Sequence, residues 1–208
     1  MTDETRRTHW DAAYRSKGEA GVSWFEDTPV VSLDLIRKYA AVRSSSLIDI
    51  GGGASRLADA LLDEGMSAIT VLDLSPAALD AAKARLGARS GLVQWVAADV
   101  TGWMPDRVYD LWHDRAAFHF LTDPVDRAAY VERLTAAVRP GGYAIIATFA
   151  PDGPERCSGL PVMRYDPPTL AGVIGSSFRL VDALRHAHQT PSKALQAFQF
   201  SVLQRVDA

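Results

Sequence analysis

Residues Leu47-Ile48-Asp49-Ile50-Gly51-Gly52-Gly53-Ala54-Ser55 constrain the fold of this chain more than any other stretch. An apolar strand ends in an acid, opens into three glycines and runs into an amphipathic helix. Glycine carries no Cβ, so its backbone can approach a ligand closely, and it tolerates the positive φ of a tight strand-to-helix turn. The helix that follows aims free N–H groups at any anion placed there. A nucleotide-like ligand explains this combination.

The rest of the chain alternates short apolar or β-branched runs with longer helical stretches, the pattern of a parallel sheet. Strands are predicted at Leu47–Ile50, Ala68–Leu72, Leu92–Ala97, Tyr109–His113 and Tyr143–Phe149. Ser75-Pro76, Asp166-Pro167 and Thr28-Pro29 each place a capping side chain before a proline at the first helical position. Pro140-Gly141-Gly142 is expected to stop the helix that begins near Asp123 and to feed the fifth strand. Phe178–Leu184 and Ala197–Leu203 read as two strands joined by the turn-rich His188-Gln189-Thr190-Pro191-Ser192, an antiparallel pair closing one sheet edge. No repeat, low-complexity tract or linker interrupts the 208 residues, so one domain with an N-terminal helical extension over residues 1–45 is expected.

Composition removes several classes of function. The net charge is −3 with acids and bases interspersed, so no basic stripe offers itself to nucleic acid phosphates. The single cysteine makes no internal disulfide, and the N-terminus lacks the apolar core of a signal peptide. No apolar run is long enough to cross a membrane. A cytoplasmic protein, monomeric or weakly dimeric, is expected. His186, His188 and Cys157 are too scattered for a recognisable zinc spacing, and no metal is expected.

A dinucleotide-binding fingerprint wants a third glycine three places after the second, where this chain has Arg56. What remains is the acid-x-Gly-x-Gly loop Asp49-Ile50-Gly51-Gly52-Gly53. It resembles the first motif of class I S-adenosylmethionine-dependent methyltransferases. Asp73 ends the second strand in Val71-Leu72-Asp73-Leu74-Ser75, where an ionised carboxylate can accept both ribose hydroxyls. Its competing role is to complement the dipole of the helix that follows Ser75. Asp99, in Ala97-Ala98-Asp99-Val100, stands where the family places an acid for the adenine amino group; alone it reads equally as a turn cap. Tyr109-Asp110-Leu111-Trp112-His113-Asp114 forms the fourth strand, whose end borders the transferred methyl in that family. The resemblance runs from about Ser46 to Phe149. It implies a Rossmann-like, doubly wound α/β fold with a seven-stranded sheet, mostly parallel with an antiparallel C-terminal edge hairpin. The implied cofactor is S-adenosyl-L-methionine, giving S-adenosyl-L-homocysteine, held by Asp49, Gly51, Gly52, Gly53, Ser55, Asp73, Leu74, Ser75, Asp99, Val100 and Asp114.

A narrower resemblance lies in His113-Asp114-Arg115-Ala116-Ala117-Phe118, followed by Asp126-Arg127 and Tyr130. This run is similar to the segment after the fourth strand in thiopurine S-methyltransferases and their bacterial relatives. Trp10 and Tyr14, four apart on one helical face, and Trp24 in Ser23-Trp24-Phe25 match the aromatic residues that cover the cofactor in that branch. Such a lid holds a sulfonium by cation–π attraction and excludes water; the competing reading is plain core packing. The chain departs from the branch at His119, usually aliphatic there, and in the long loop Ala150–Pro161. Arg115 is expected to raise the thiolate fraction of a thiol acceptor or to clamp a carboxylate, and His119 to serve as base for an oxygen or nitrogen acceptor. The loop around Cys157 leaves the carboxyl end of the fifth strand and can line the acceptor pocket. The expected reaction is methyl transfer to a small molecule, first a thiol or similar soft nucleophile. A protein lysine, or a non-catalytic cofactor-binding subunit, is the alternative.

Overall fold

Five consecutive buried residues, Ser46–Ile50, form β1, an interior strand of the seven-stranded sheet in the computed structural model, which describes residues 3–206. Two helices precede it, α1 (Asp3–Lys17) and α2 (Val30–Tyr39). There follow α3 (Leu57–Asp63), β2 (Ala68–Asp73), α4 (Pro76–Leu86), β3 (Val93–Ala97), β4 (Tyr109–Arg115), α5 (Pro124–Ala137) and β5 (Val138–Phe149). A short hairpin, β6 (Arg156–Cys157) and β7 (Leu160–Pro161), then leads to α6 (Pro167–Ile174), β8 (Phe178–Gln189) and β9 (Leu195–Arg205).

The strand order is β3-β2-β1-β4-β5-β9-β8. β1 pairs in parallel with β2 and β4, β2 with β3, and β4 with β5; β9 runs antiparallel to both β5 and β8. The expected seven-stranded, mostly parallel sheet with an antiparallel C-terminal edge is what forms. Strand order reverses between β1 and β4, the switch point outside which open α/β sheets bind ligands.

Alternate residues of each strand enter opposite cores, as the two-residue period of a strand requires. Leu47, Leu111, Ile145, Phe198 and Phe200 pack with Leu33, Ile36, Leu57, Leu61 and Leu79 from α2, α3 and α4. Ile48, Ile50, Trp112, Ile146 and Leu203 pack with Tyr130, Leu134, Leu170 and Ile174 from α5 and α6. No helix among the described residues is long and apolar enough to cross a membrane.

Ser75, Asp123 and Asp166 cap α4, α5 and α6 through their side chains, each with proline in the first turn. Thr28 does not cap α2. Pro29 occupies that position, and only backbone carbonyls serve the first turn, Thr28 C=O accepting from Val30 N–H and Pro29 C=O from Leu33 N–H. Pro140-Gly141-Gly142 does not end α5, which stops at Ala137; β5 begins before the glycines, and its pairing with β4 slips in register between Tyr109 and Leu111. The C-terminal strands extend beyond the expected limits, so the hairpin turn narrows to Thr190–Ala194, closed by a hydrogen bond from Thr190 N–H to Ala194 C=O.

Candidate active site

The glycine turn is shaped from beneath by β2 and from above by the end of β4. Gly51 has φ +65°, and its N–H donates to Leu72 C=O at 2.8 Å. A Cβ at Gly51 would lie 2.8 Å from the Cβ of Ala117. At Gly52 it would lie 2.4 Å from the Asp49 carboxylate, and at Gly53, with φ +46°, 2.8 Å from the Tyr14 hydroxyl. Asp49 is buried and does not line the adjoining cavity. Register places it beside His113 on β4, whose Nδ1 lies 2.6 Å from its carboxylate, and His113 Nε2 meets Ser32 Oγ of α2 at 2.9 Å. Asp49 thereby supports the turn from below.

Next to this turn lies a cavity of about 130 Å³. Nine of the residues expected from sequence line it: Trp10, Tyr14, Trp24, Gly51, Asp73, Leu74, Asp99, Val100 and Arg115. Two acids come from successive strand ends. Asp73 is buried and accepts from Ser75 N–H at 2.7 Å and from Gly53 N–H. Burial, with the Asp49 and Asp11 carboxylates nearby, pushes its carboxyl up to about 7 against those hydrogen bonds. Asp99 accepts from Thr101 N–H and Oγ1–H at 2.9 and 2.7 Å through one oxygen, and pairs with Arg6 at 3.0 Å through the other.

Helix α1 forms the roof. Arg6, Trp10 and Tyr14 all line the cavity, and their spacing of four puts them on one face of α1. Arg6 was not singled out from sequence, although that same periodicity contains it. Trp10 meets Trp24 and Phe120 edge to face at 5.6 and 4.9 Å. The Trp24 indole N–H donates to the Tyr14 hydroxyl at 3.2 Å. Ser75 Oγ–H donates to Asp11 at 2.5 Å, fastening α1 to the start of α4.

At the other end stands Arg115, with a side chain 12% exposed. It donates to Trp24 C=O at 2.9 Å, lies 3.2 Å from Glu26 and places its guanidinium 5.5 Å from the Phe198 ring centre. Cys157, Gln196 and Phe198 complete this end, and the Gln196 side-chain oxygen is buried without a hydrogen-bond partner. Gln196 and Phe198 were not anticipated, because only the sheet order brings β9 beside the end of β5.

Asp114 and His119 lie off the cavity wall. Asp114 is fully buried; it accepts from Ala117 N–H at 2.8 Å, from Phe118 N–H at 3.1 Å and from the Tyr130 hydroxyl at 2.7 Å. These bonds order the turn in which Ala116, at φ +72°, and Ala117 form part of the wall. His119 is fully buried in a one-turn 3₁₀ helix, its ring against Phe120 and Phe149 and both nitrogens without hydrogen-bond partners. Burial lowers its pKa to about 3, so the ring is neutral at physiological pH. Ser75 caps α4, and Ser55 borders a smaller neighbouring pocket with Tyr14, Trp24 and Glu26. Gly52 and Gly53 shape the turn. Although the sequence shows no zinc spacing, the fold brings Glu26, His186 and His188 together.

The residues present fit S-adenosylmethionine: a turn without Cβ atoms, acids at the ends of β2 and β3, and an aromatic roof. Residues 47–142 match a family described as Methyltransferase domain. A curated relative, trans-aconitate 2-methyltransferase of Rhizobium rhizogenes, is 28% identical over 120 residues, covering 57% of this chain and 43% of that protein. The match thus spans less than half of the relative. Among solved structures, one concerned with converting a disulfide bond into a thioacetal group during echinomycin biosynthesis is 21% identical, with TM-score 0.74 over 96% of this chain and 93% of that one. The Burkholderia thailandensis 1,6-didemethyltoxoflavin-N1-methyltransferase, with bound 1,6-didemethyltoxoflavin and S-adenosylhomocysteine, is also 21% identical, with TM-score 0.68 over 100% of this chain and 92% of its own. Residues 47–142, just under half of the chain, thus resemble a methyltransferase domain, and the sheet has the fold of the methyltransferase structures it matches.

Proposed function

We propose that this chain transfers a methyl group from S-adenosylmethionine to a small anionic acceptor, in first place a thiolate. The observation that carries the proposal is Arg115: a nearly buried cation on the cavity wall, among aromatic side chains, with no histidine among the described residues of that wall. Asp73 and Asp99 would hold the ribose and adenine, with Gly51–Gly53 beneath the methionine end. The bound cofactor supplies a methyl carbon already activated by a sulfonium leaving group, so an anionic nucleophile requires no base. Trp10, Trp24 and Phe120 exclude water, and Arg115 favours the thiolate over the thiol by its charge. His119 plays no part in this reading, because it is buried behind the wall and held neutral.

The Asp114-Arg115-Ala116-Ala117 run supports the thiopurine S-methyltransferase-like branch, and sulfur chemistry in the echinomycin-related structure supports a soft acceptor. Arg115 together with the trans-aconitate relative favours one second reading, a carboxylate acceptor. A lysine ammonium is disfavoured by the guanidinium. A transfer screen over thiols, carboxylic acids, amines and a lysine-rich protein extract tests the proposal. Alkali-stable methylation of thiols is expected; an alkali-labile methyl ester selects the carboxylate reading, and methylation of amines alone overturns both. Calorimetric titration with S-adenosylhomocysteine tests the cofactor separately.

A further inference from the structure

Glu26 lies between α1 and α2, and His186 and His188 lie on β8, far apart in sequence but in contact in the fold. The two histidines are two residues apart on one strand, so their rings project from the same face. His188 Nδ1 lies 3.4 Å and His186 Nε2 3.9 Å from the same Glu26 oxygen, and one ligand atom from each of the three residues falls within 4.8 Å of the others.

The tautomer of His188 is set by its other nitrogen. Its Nε2 lies 2.8 Å from Ser23 C=O, and a carbonyl only accepts, so Nε2 carries the hydrogen. A histidine that donates one ring N–H to a backbone carbonyl while turning the other nitrogen inward is the usual arrangement of a metal ligand. The inward Nδ1 faces a carboxylate across 3.4 Å, wider than the 2.7–2.9 Å of a charge-assisted hydrogen bond. Two ligands bound at 2.0–2.2 Å and spread at a tetrahedral angle stand about 3.4 Å apart. Arg115 Nη2 stands 3.2 Å from that same Glu26 oxygen, an ion pair without hydrogen-bond geometry.

We propose that Glu26, His186 and His188 bind a divalent transition-metal ion of the zinc type. Two imidazoles and one carboxylate suit such an ion and leave a fourth position open. The ion ties the segment after α1 to the edge strand β8, and through Arg115 it adjoins the wall of the cavity. The metal proposal does not rest on the methyl-transfer reading, although Glu26 is also the ion-pair partner of Arg115.

The full chain, stripped by chelator, is titrated with Zn²⁺ against a chromophoric chelator and with Co²⁺ by visible absorption. One ion per chain is expected, with Co²⁺ bands of four-coordinate intensity. His186→Ala and Glu26→Gln should each weaken binding at least tenfold, on the scale seen when metal-site partners are removed. The His186 side chain is 33% exposed, so its replacement opens no core cavity, and circular dichroism checks that both variants fold. S-adenosylhomocysteine titration of the same samples reports separately on the cofactor site. Absence of stoichiometric binding, or unchanged affinity in both folded variants, overturns the proposal.

Discussion

Asp73 shows how much of a site can rest on one side chain. Its carboxyl titrates at about 7 because burial and two neighbouring carboxylates oppose the charge, while Ser75 and Gly53 N–H groups favour it. In the proposed site, the ionised form is the one that would accept from both ribose hydroxyls. S-adenosylhomocysteine affinity should therefore fall below pH 7, by up to tenfold per pH unit, and calorimetry across pH 5.5–8.5 checks this. Asp73→Asn should weaken binding about 10–100-fold, the size of hydrogen bonds to a charged group, and flatten that pH dependence. The sign for stability is opposite. The folded-state pKa lies above the unfolded value of about 3.9, so wild type should lose stability relative to Asp73→Asn as pH rises from about 4 to 7, then stay level. Urea unfolding of both proteins without ligand tests it. Gly51→Ala meets a different obstacle, a Cβ 2.8 Å from that of Ala117 at a backbone φ of +65°. It should destabilise the fold by about 1–3 kcal/mol, measured by thermal or urea unfolding. The cavity positions of Gly51, Asp73 and Asp99 were legible in sequence because each holds a fixed place relative to a strand end. Asp49, Asp114 and His119 were not, because residue type does not reveal whether a side chain faces ligand, backbone or core.

At the scale of elements, α1 closes the cavity with one face. Its mean hydropathy is low, and it is held by Arg6 to Asp99 and Asp126, Asp11 to Ser75, and Trp10 to Trp24 and Phe120. Trp10→Ala removes edge-to-face contacts with His9, Trp24 and Phe120, about 0.5–1.5 kcal/mol each, and should weaken S-adenosylhomocysteine binding about tenfold. Limited proteolysis should then cut residues 18–29 faster, whereas unchanged affinity and protection would show that α1 is no lid. The caps of α4, α5 and α6 were readable because a polar side chain before proline acts locally. Thr28-Pro29 carries the same local signal but makes no side-chain cap, and α2 is instead packed through Leu33 and Ile36 into the core. The start of β5 was likewise hidden, since pairing with Tyr109 of β4 draws Val138 into the strand ahead of Pro140.

The whole molecule has two cores on opposite faces of one sheet, and strands such as β1 contribute to both. Neither core can open without the other, so a single thermal transition is expected. Saturation with S-adenosylhomocysteine at 100 times its Kd adds about 2.7 kcal/mol and should raise Tm by about 5–10 °C. Two resolved transitions in calorimetry would contradict the shared sheet. By itself the sequence determined the α/β class, the parallel strands and the glycine turn with its two acids, because periodicity, capping and turn chemistry act over a few residues. Only the tertiary structure decided which side chains meet. Sheet order carried β9 to the cavity, bringing Gln196 and Phe198 to Arg115, and set β8 against the segment after α1, bringing His186 and His188 to Glu26. Such contacts depend on strand order and register, which no local spacing encodes.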